Sequence, residues 1–225
     1  MKKLLAAIIA AALLLSGCTS ASRPAESAPP AETPSPSPTP IVTPTPAPEP
    51  SDDELVLVRD YIPGLFIDLK YATTDNFTGQ VIYDSDEAYL RYGTVKKLLA
   101  AQNELSGRGL SLKIWDAYRP VSAQFKLWEI CPNPVYVSDP NNGYSKHSRA
   151  NTVDITLVTS TGESIPMPSG FDDFTSLADR DYSDVSAEAA ENARLLESIM
   201  VENGFVPYSG EWWHYSDSVS YDVYG

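Results

Sequence analysis

The chain opens with an unbroken apolar run, Leu4 to Leu15, and regular apolar patterning does not return until about residue 54. From there, short and long periods follow one another. Leu55 to Val58 and Leu65 to Leu69 read as strands, and Ala88 to Leu105 as a helix with Leu90, Val95, Leu98 and Leu99 in helical spacing, ended near Gly107. Leu110 to Trp115 predicts a strand, Val121 to Ile130 a helix stopped by Pro132, and 132–144 a loop. Over Thr152 to Val158 apolar Val153, Ile155 and Leu157 alternate with Thr152, Asp154 and Thr156, the pattern of a half-buried strand with Asp154 on its wet face. Ala187 to Asn203 predicts a long helix ended by Gly204, and Phe205 to Val206 leads into a last strand carrying Glu211 and His214. Strands and helices mix without a βαβ rhythm. The expected class is α+β, a single domain with a mainly antiparallel sheet flanked by helices.

What precedes residue 54 has another character. Lys2 and Lys3 followed by Leu4 to Leu15 have the charged start and short apolar middle of a secretory signal, too short to span a bilayer. Leu15-Ser16-Gly17-Cys18 closes it and resembles a bacterial lipobox, which implies lipidation of Cys18 and an extracytoplasmic protein anchored to the membrane. Between Pro24 and Pro50 lie 11 of the 19 prolines, interleaved with Ser, Thr and Ala, so this stretch reads as an extended spacer. The expected division is 1–17 signal, 18–53 lipidated cysteine and linker, and 54–225 the folded domain. The formal charge of −14 resides mainly in that domain, which argues against a nucleic-acid partner. Cys131 is the only cysteine besides Cys18, so no disulfide is expected within the domain, and Cys131 reads as a core or helix-end residue.

Candidate chemistry gathers at the two histidines. One sits in Ser145-Lys146-His147-Ser148-Arg149-Ala150-Asn151-Thr152-Val153-Asp154, the other in Glu211-Trp212-Trp213-His214. A catalytic zinc site takes three protein ligands and leaves one position open. His147, Asp154 and His214 supply such a set, with Glu211 left over as a base. The two tryptophans beside Glu211 and His214 suggest walls of a pocket. In a fully extended strand Glu211 and His214 would point to opposite faces, so a bend must intervene if both are to reach one ion.

The order Ser-x-His-x6-Asp followed by Glu-x-x-His resembles the D-alanyl-D-alanine dipeptidases of the VanX type, within the zinc D-Ala-D-Ala peptidases. Asp68-Leu69-Lys70-Tyr71-Ala72-Thr73-Thr74-Asp75-Asn76-Phe77-Thr78-Gly79 and Trp115-Asp116-Ala117-Tyr118-Arg119-Pro120 resemble two further motifs of that family. The resemblance covers about residues 54 to 217. It implies Zn2+ held by His147, Asp154 and His214, Glu211 as general base and Arg119 stabilising the oxyanion. It further implies Tyr71 and Asp172 at the substrate ammonium, with Ser145 and Asp116 in support on the substrate side. The implied substrate is a small D-amino-acid dipeptide. The pattern departs from the family at Ala150 and Thr152, where Gly and Ala are usual; if a glycine is needed there for positive φ, Ala150 would distort the loop bearing His147. Two other functions fit the same residues: a D,D- or L,D-carboxypeptidase trimming peptidoglycan stem peptides, and a non-catalytic binding lipoprotein.

Overall fold

The structure, a computed structural model, describes residues 48–225. The expectations for the signal segment, for Cys18 and for the linker as far as residue 47 lie outside the described residues. Seven strands and three α-helices follow in the order β1 (Leu55–Leu57), β2 (Phe66–Ile67), β3 (Tyr89–Arg91), α1 (Tyr92–Ser106), β4 (Leu110–Asp116), α2 (Val121–Ile130), β5 (Thr152–Thr159), α3 (Ala187–Glu202), β6 (Phe205–Tyr208) and β7 (Glu211–Asp217). Strands β1 and β3 form a small antiparallel pair. The main sheet runs β2-β4-β5-β7-β6, with only β2 and β4 parallel. This is the α+β class expected, with a mainly antiparallel sheet.

Local chemistry sets several ends. Ser186 starts α3 by accepting a hydrogen bond from the Ala189 N–H, an N-cap of the usual kind. Cys131 ends α2, where its N–H reaches the Leu127 carbonyl, as a helix-end residue would. The expected helix from Ala88 is too long at its start: residues 89–91 pair with β1 as a strand, and helix begins only at Tyr92. Helices α1 and α3 pack on each other, α1 against β4 and α3 against β5, β6 and β7. The apolar residues of this assembly, among them Leu98, Leu105, Leu112, Ile155, Leu196 and Met200, form one core.

The expected wet face of β5 is not wet. Every residue from Thr152 to Val158 is buried, because β5 is the middle strand and both its faces are covered. Asp154 is therefore an ionisable group inside the protein, a placement that costs free energy without a counter-charge.

Candidate metal centre

Sheet register assembles the site. Asp116 on β4 lies opposite Asp154 on β5, and Asp154 lies opposite His214 on β7, so three polar side chains run in a row across adjacent strands. His147 comes from a one-turn 3-10 helix, Lys146–Arg149, just before β5. Ser145 starts that turn by accepting from the His147 N–H. Ala150 ends it at φ 58°, in the left-handed region, and its N–H closes the turn on the His147 carbonyl. The distortion expected from Ala150 does not occur: the turn closes with alanine in place, at a strain of roughly 1–2 kcal/mol. Thr152 is accommodated by a hydrogen bond between its hydroxyl and that of Ser216.

Donor atoms of His147, Asp154 and His214 all lie within 4.8 Å of one another. His147 Nδ1 is 2.8 Å from the Ala117 carbonyl, to which it can only donate, so Nε2 is left as the free lone pair and faces Asp154 Oδ2 at 3.3 Å. His214 Nδ1 is 2.9 Å from Asp154 Oδ1 and 3.4 Å from Glu211 Oε2. Two imidazoles and a buried carboxylate converging in this way fit a divalent cation in their donor chemistry. Burial opposes charge on Asp154, but the two histidines outweigh it and hold its carboxyl well below the usual carboxylate range. Burial also opposes charge on His147, and there Asp154 and Asp116 win and raise it. Glu211 is raised, first by burial and then by the negative Asp154.

The bend required between Glu211 and His214 is present. Pro207 pairs with Tyr215 but the next residue, Tyr208, pairs with Glu211, so Trp212, Trp213 and His214 bulge out of register with β6. The tryptophans are not pocket walls. Both are fully buried behind the site, Trp212 donating to Ser169 Oγ at 2.9 Å and packing edge-on against Trp115.

Beside the three donors, Arg119 is buried and held by Asp116 Oδ2, which accepts from Nε at 3.2 Å and from a terminal nitrogen at 2.6 Å. Its other terminal nitrogen donates to Gln124 Oε1 at 2.9 Å. These bonds leave two of the guanidinium's five N–H groups free. The Tyr71 ring lies under the guanidinium at 5.0 Å, and the Tyr71 hydroxyl donates to Asp172 at 2.6 Å. Burial, reinforced by Asp154 and opposed by the Tyr71 hydrogen bond, pushes the Asp172 carboxyl up to about 8.

A cavity of about 300 Å3 brings Tyr71, Arg119, Ser145, His147, Asp154, Asp172, Glu211 and His214 to one surface, with Tyr136 and its neighbours forming a further wall. Among the described site residues expected from sequence, Asp116 alone lies off this surface. It is wholly buried, with Oδ1 accepting from the Tyr83 hydroxyl and the Ala117 N–H and Oδ2 from Arg119, and so it holds Arg119 from behind the cavity. Two participants carried no signal in the sequence: Tyr83 and Gln124, which anchor the Asp116–Arg119 assembly. A somewhat larger cavity, about 390 Å3, is lined by Tyr83, Tyr89, Tyr118 and Lys126 among others and contains no histidine.

The sequence profile of the D-ala-D-ala dipeptidase family matches residues 51–221. The chain belongs to this family. It is 40% identical over 162 residues to the D-alanyl-D-alanine dipeptidase of Escherichia coli, covering 72% of this chain and 83% of that protein. It is 36% identical to the D-alanyl-D-alanine dipeptidases of Enterococcus faecium, over 69% of this chain and 87% of that one, and of Streptomyces coelicolor, over 72% and 91%. As a family member the chain is a metallopeptidase, and the aligned part takes in the whole of the site just described.

Proposed function

We propose that the protein hydrolyses free D-alanyl-D-alanine to two molecules of D-alanine, using a zinc ion held by His147, Asp154 and His214. The observation that carries this reading is the convergence of those three donor sets, with the Glu211 carboxylate against His214, in one small cavity. Membership of the dipeptidase family and the names of the relatives supply the substrate. When bound, zinc lowers the pKa of coordinated water to about 7 and polarises a carbonyl.

The protein's own groups do the rest. Glu211, raised by burial, takes the proton of the attacking water and returns it to the leaving amine, so that one water is added across the peptide bond and both products leave as free amino acids. Arg119, fixed by Asp116 and Gln124, directs its two free N–H groups at the negative charge that develops on the carbonyl oxygen. Asp172 and Tyr71 receive the substrate ammonium. A cation brought beside Asp172 favours its ionised form, so substrate binding draws off the proton that burial keeps there. The cavity lies at the small end of the roughly 300–1,000 Å3 range of ligand sites, which suits a dipeptide better than a stem peptide.

The test is an assay of zinc-loaded protein on D-Ala-D-Ala, N-acetyl-D-Ala-D-Ala, L-Ala-L-Ala and a stem pentapeptide. Release of D-alanine from the free dipeptide alone is expected. Equal cleavage of the blocked dipeptide or the pentapeptide would instead favour the wall-trimming carboxypeptidase, and no turnover of any of them the binding lipoprotein.

Lipidation of Cys18, with a Pro-rich spacer holding the domain outside the cytoplasmic membrane, completes the proposal. It is supported by Lys2, Lys3, the apolar run Leu4 to Leu15 and Leu15-Ser16-Gly17-Cys18. Cys18→Ala should move the protein from the membrane fraction to the soluble one; retention in the membrane would refute the anchor.

A further inference from the structure

We propose that Arg180 is a positioning residue for the reaction: it holds the β7 bulge in the one shape that lets Glu211 and His214 face the same ion. Residues three apart on a regular strand point to opposite faces. Here Trp212, Trp213 and His214 fall out of register with β6, and Pro207, the last β6 residue before the slip, has no N–H with which to bridge it. Arg180 supplies the missing donors. Its Nε donates to the Tyr208 carbonyl at 2.7 Å, and one terminal nitrogen donates to the carbonyls of both Glu211 and His214, at 3.1 and 3.2 Å. A single planar fork thus ties the two functional residues of the segment to each other and to the end of β6.

The fork is itself anchored. Its other terminal nitrogen donates to Glu197 on α3 at 2.9 Å and to the Tyr215 hydroxyl at 3.1 Å, while the Tyr215 ring lies 4.6 Å from the guanidinium carbon. All five N–H groups of Arg180 are therefore engaged by protein, unlike Arg119, which keeps two free. Arg180 has nothing left to offer a substrate and acts only through Glu211 and His214. Lysine can replace its charge but not its geometry, because three donors radiating from one atom cannot span carbonyls on Tyr208, Glu211 and His214 together.

This inference rests on the metal-centre reading, and the experiment separates the two. Zn2+ affinity of the full protein is measured by competition with a chromophoric chelator, alongside kcat and KM and the visible spectrum of the Co2+-substituted form. If the parent binds no metal, the metal-centre reading fails. If the parent binds, Arg180→Lys should remain folded by circular dichroism, bind Zn2+ about 10–100-fold more weakly, as outer-shell losses do, shift the Co2+ bands, and lose kcat with KM within about twofold. Glu197→Gln, which loosens the fork from outside, should move the same quantities in the same direction by a few-fold. A folded Arg180→Lys protein with parental Zn2+ affinity, Co2+ spectrum and kcat overturns the proposal. Should Arg180→Lys not fold, Glu197→Gln decides: weaker metal binding and lower kcat uphold it, and parental values overturn it.

Discussion

The site is built from two arms that solve the same problem differently. From Ser145 to Asp154 the chain places two metal-ligand candidates with local means: a serine cap, one 3-10 turn, a left-handed Ala150 and entry into the most deeply buried strand. From Tyr208 to His214 the chain places a ligand candidate and a base candidate with a bulge that its own backbone does not close, and borrows the closing donors from Arg180. One arm closes its turn within ten consecutive residues and takes from outside the Ala117 carbonyl that orients the His147 ring; the other depends on the Arg180 side chain, far upstream, for its closing donors. Spacing motifs therefore name the residues of both arms, but only in the first do they also show what closes the turn.

The largest effect should come from taking a ligand out of either arm. His147→Ala, Asp154→Ala and His214→Ala should each lose most bound zinc, measured by elemental analysis of the purified protein, and with it the activity. Full occupancy in any of them removes that residue from the ligand set. Next, Glu211→Gln separates chemistry from binding within the second arm. It keeps size and hydrogen bonding, so metal content should hold while kcat falls at least about 10²-fold, the usual general-base contribution.

A smaller, pH-dependent effect follows from the burial of carboxyl groups at the site. In metal-free protein Asp172, raised from 3.8 to about 8, keeps a proton in the folded state that the unfolded chain has released, and Glu211 is raised in the same sense. The folded state then binds more protons than the unfolded across that window, so stability falls as pH rises from about 4 to about 8. His147, also raised, adds to the fall as pH passes its ordinary value. Melting of chelator-treated protein at pH 5 and pH 8 should show this loss, and Asp172→Asn should flatten it.

The smallest effect is expected from Ala150→Gly, which touches only the turn of the first arm. Glycine relieves the left-handed strain but frees the unfolded chain, so stability by denaturant titration should change by less than about 1 kcal/mol. Zn2+ affinity should stay at the parental value. A large loss of affinity would mean that the Ala150 methyl group itself supports His147.

Legibility in the sequence followed the same divide. Helix α2 appears over Val121–Ile130 as its pattern and Pro132 indicate, and α3 starts at Ala187 because Ser186 caps it. Those are local decisions. Residues 89–91, of which Leu90 falls in the helical period, form strand because Leu55–Leu57 lies alongside, a pairing that no local period records. Asp154 alternates like a surface residue yet is buried, since burial depends on its strand being central to the sheet. The tryptophans beside Glu211 suggested a pocket wall; the bulge turns both into the core. Asp116, expected in support on the substrate side, gives that support through Arg119, together with Tyr83 and Gln124, which no motif marked.

Whether the two arms meet at one ion is answered most directly by X-ray absorption spectroscopy of the zinc-loaded protein. The account predicts a first shell of nitrogen and oxygen with two imidazoles and no sulfur, and one imidazole fewer around the residual zinc that His214→Ala takes up at excess metal. A spectrum with a single imidazole in the parent protein, or one unchanged by His214→Ala, would contradict it.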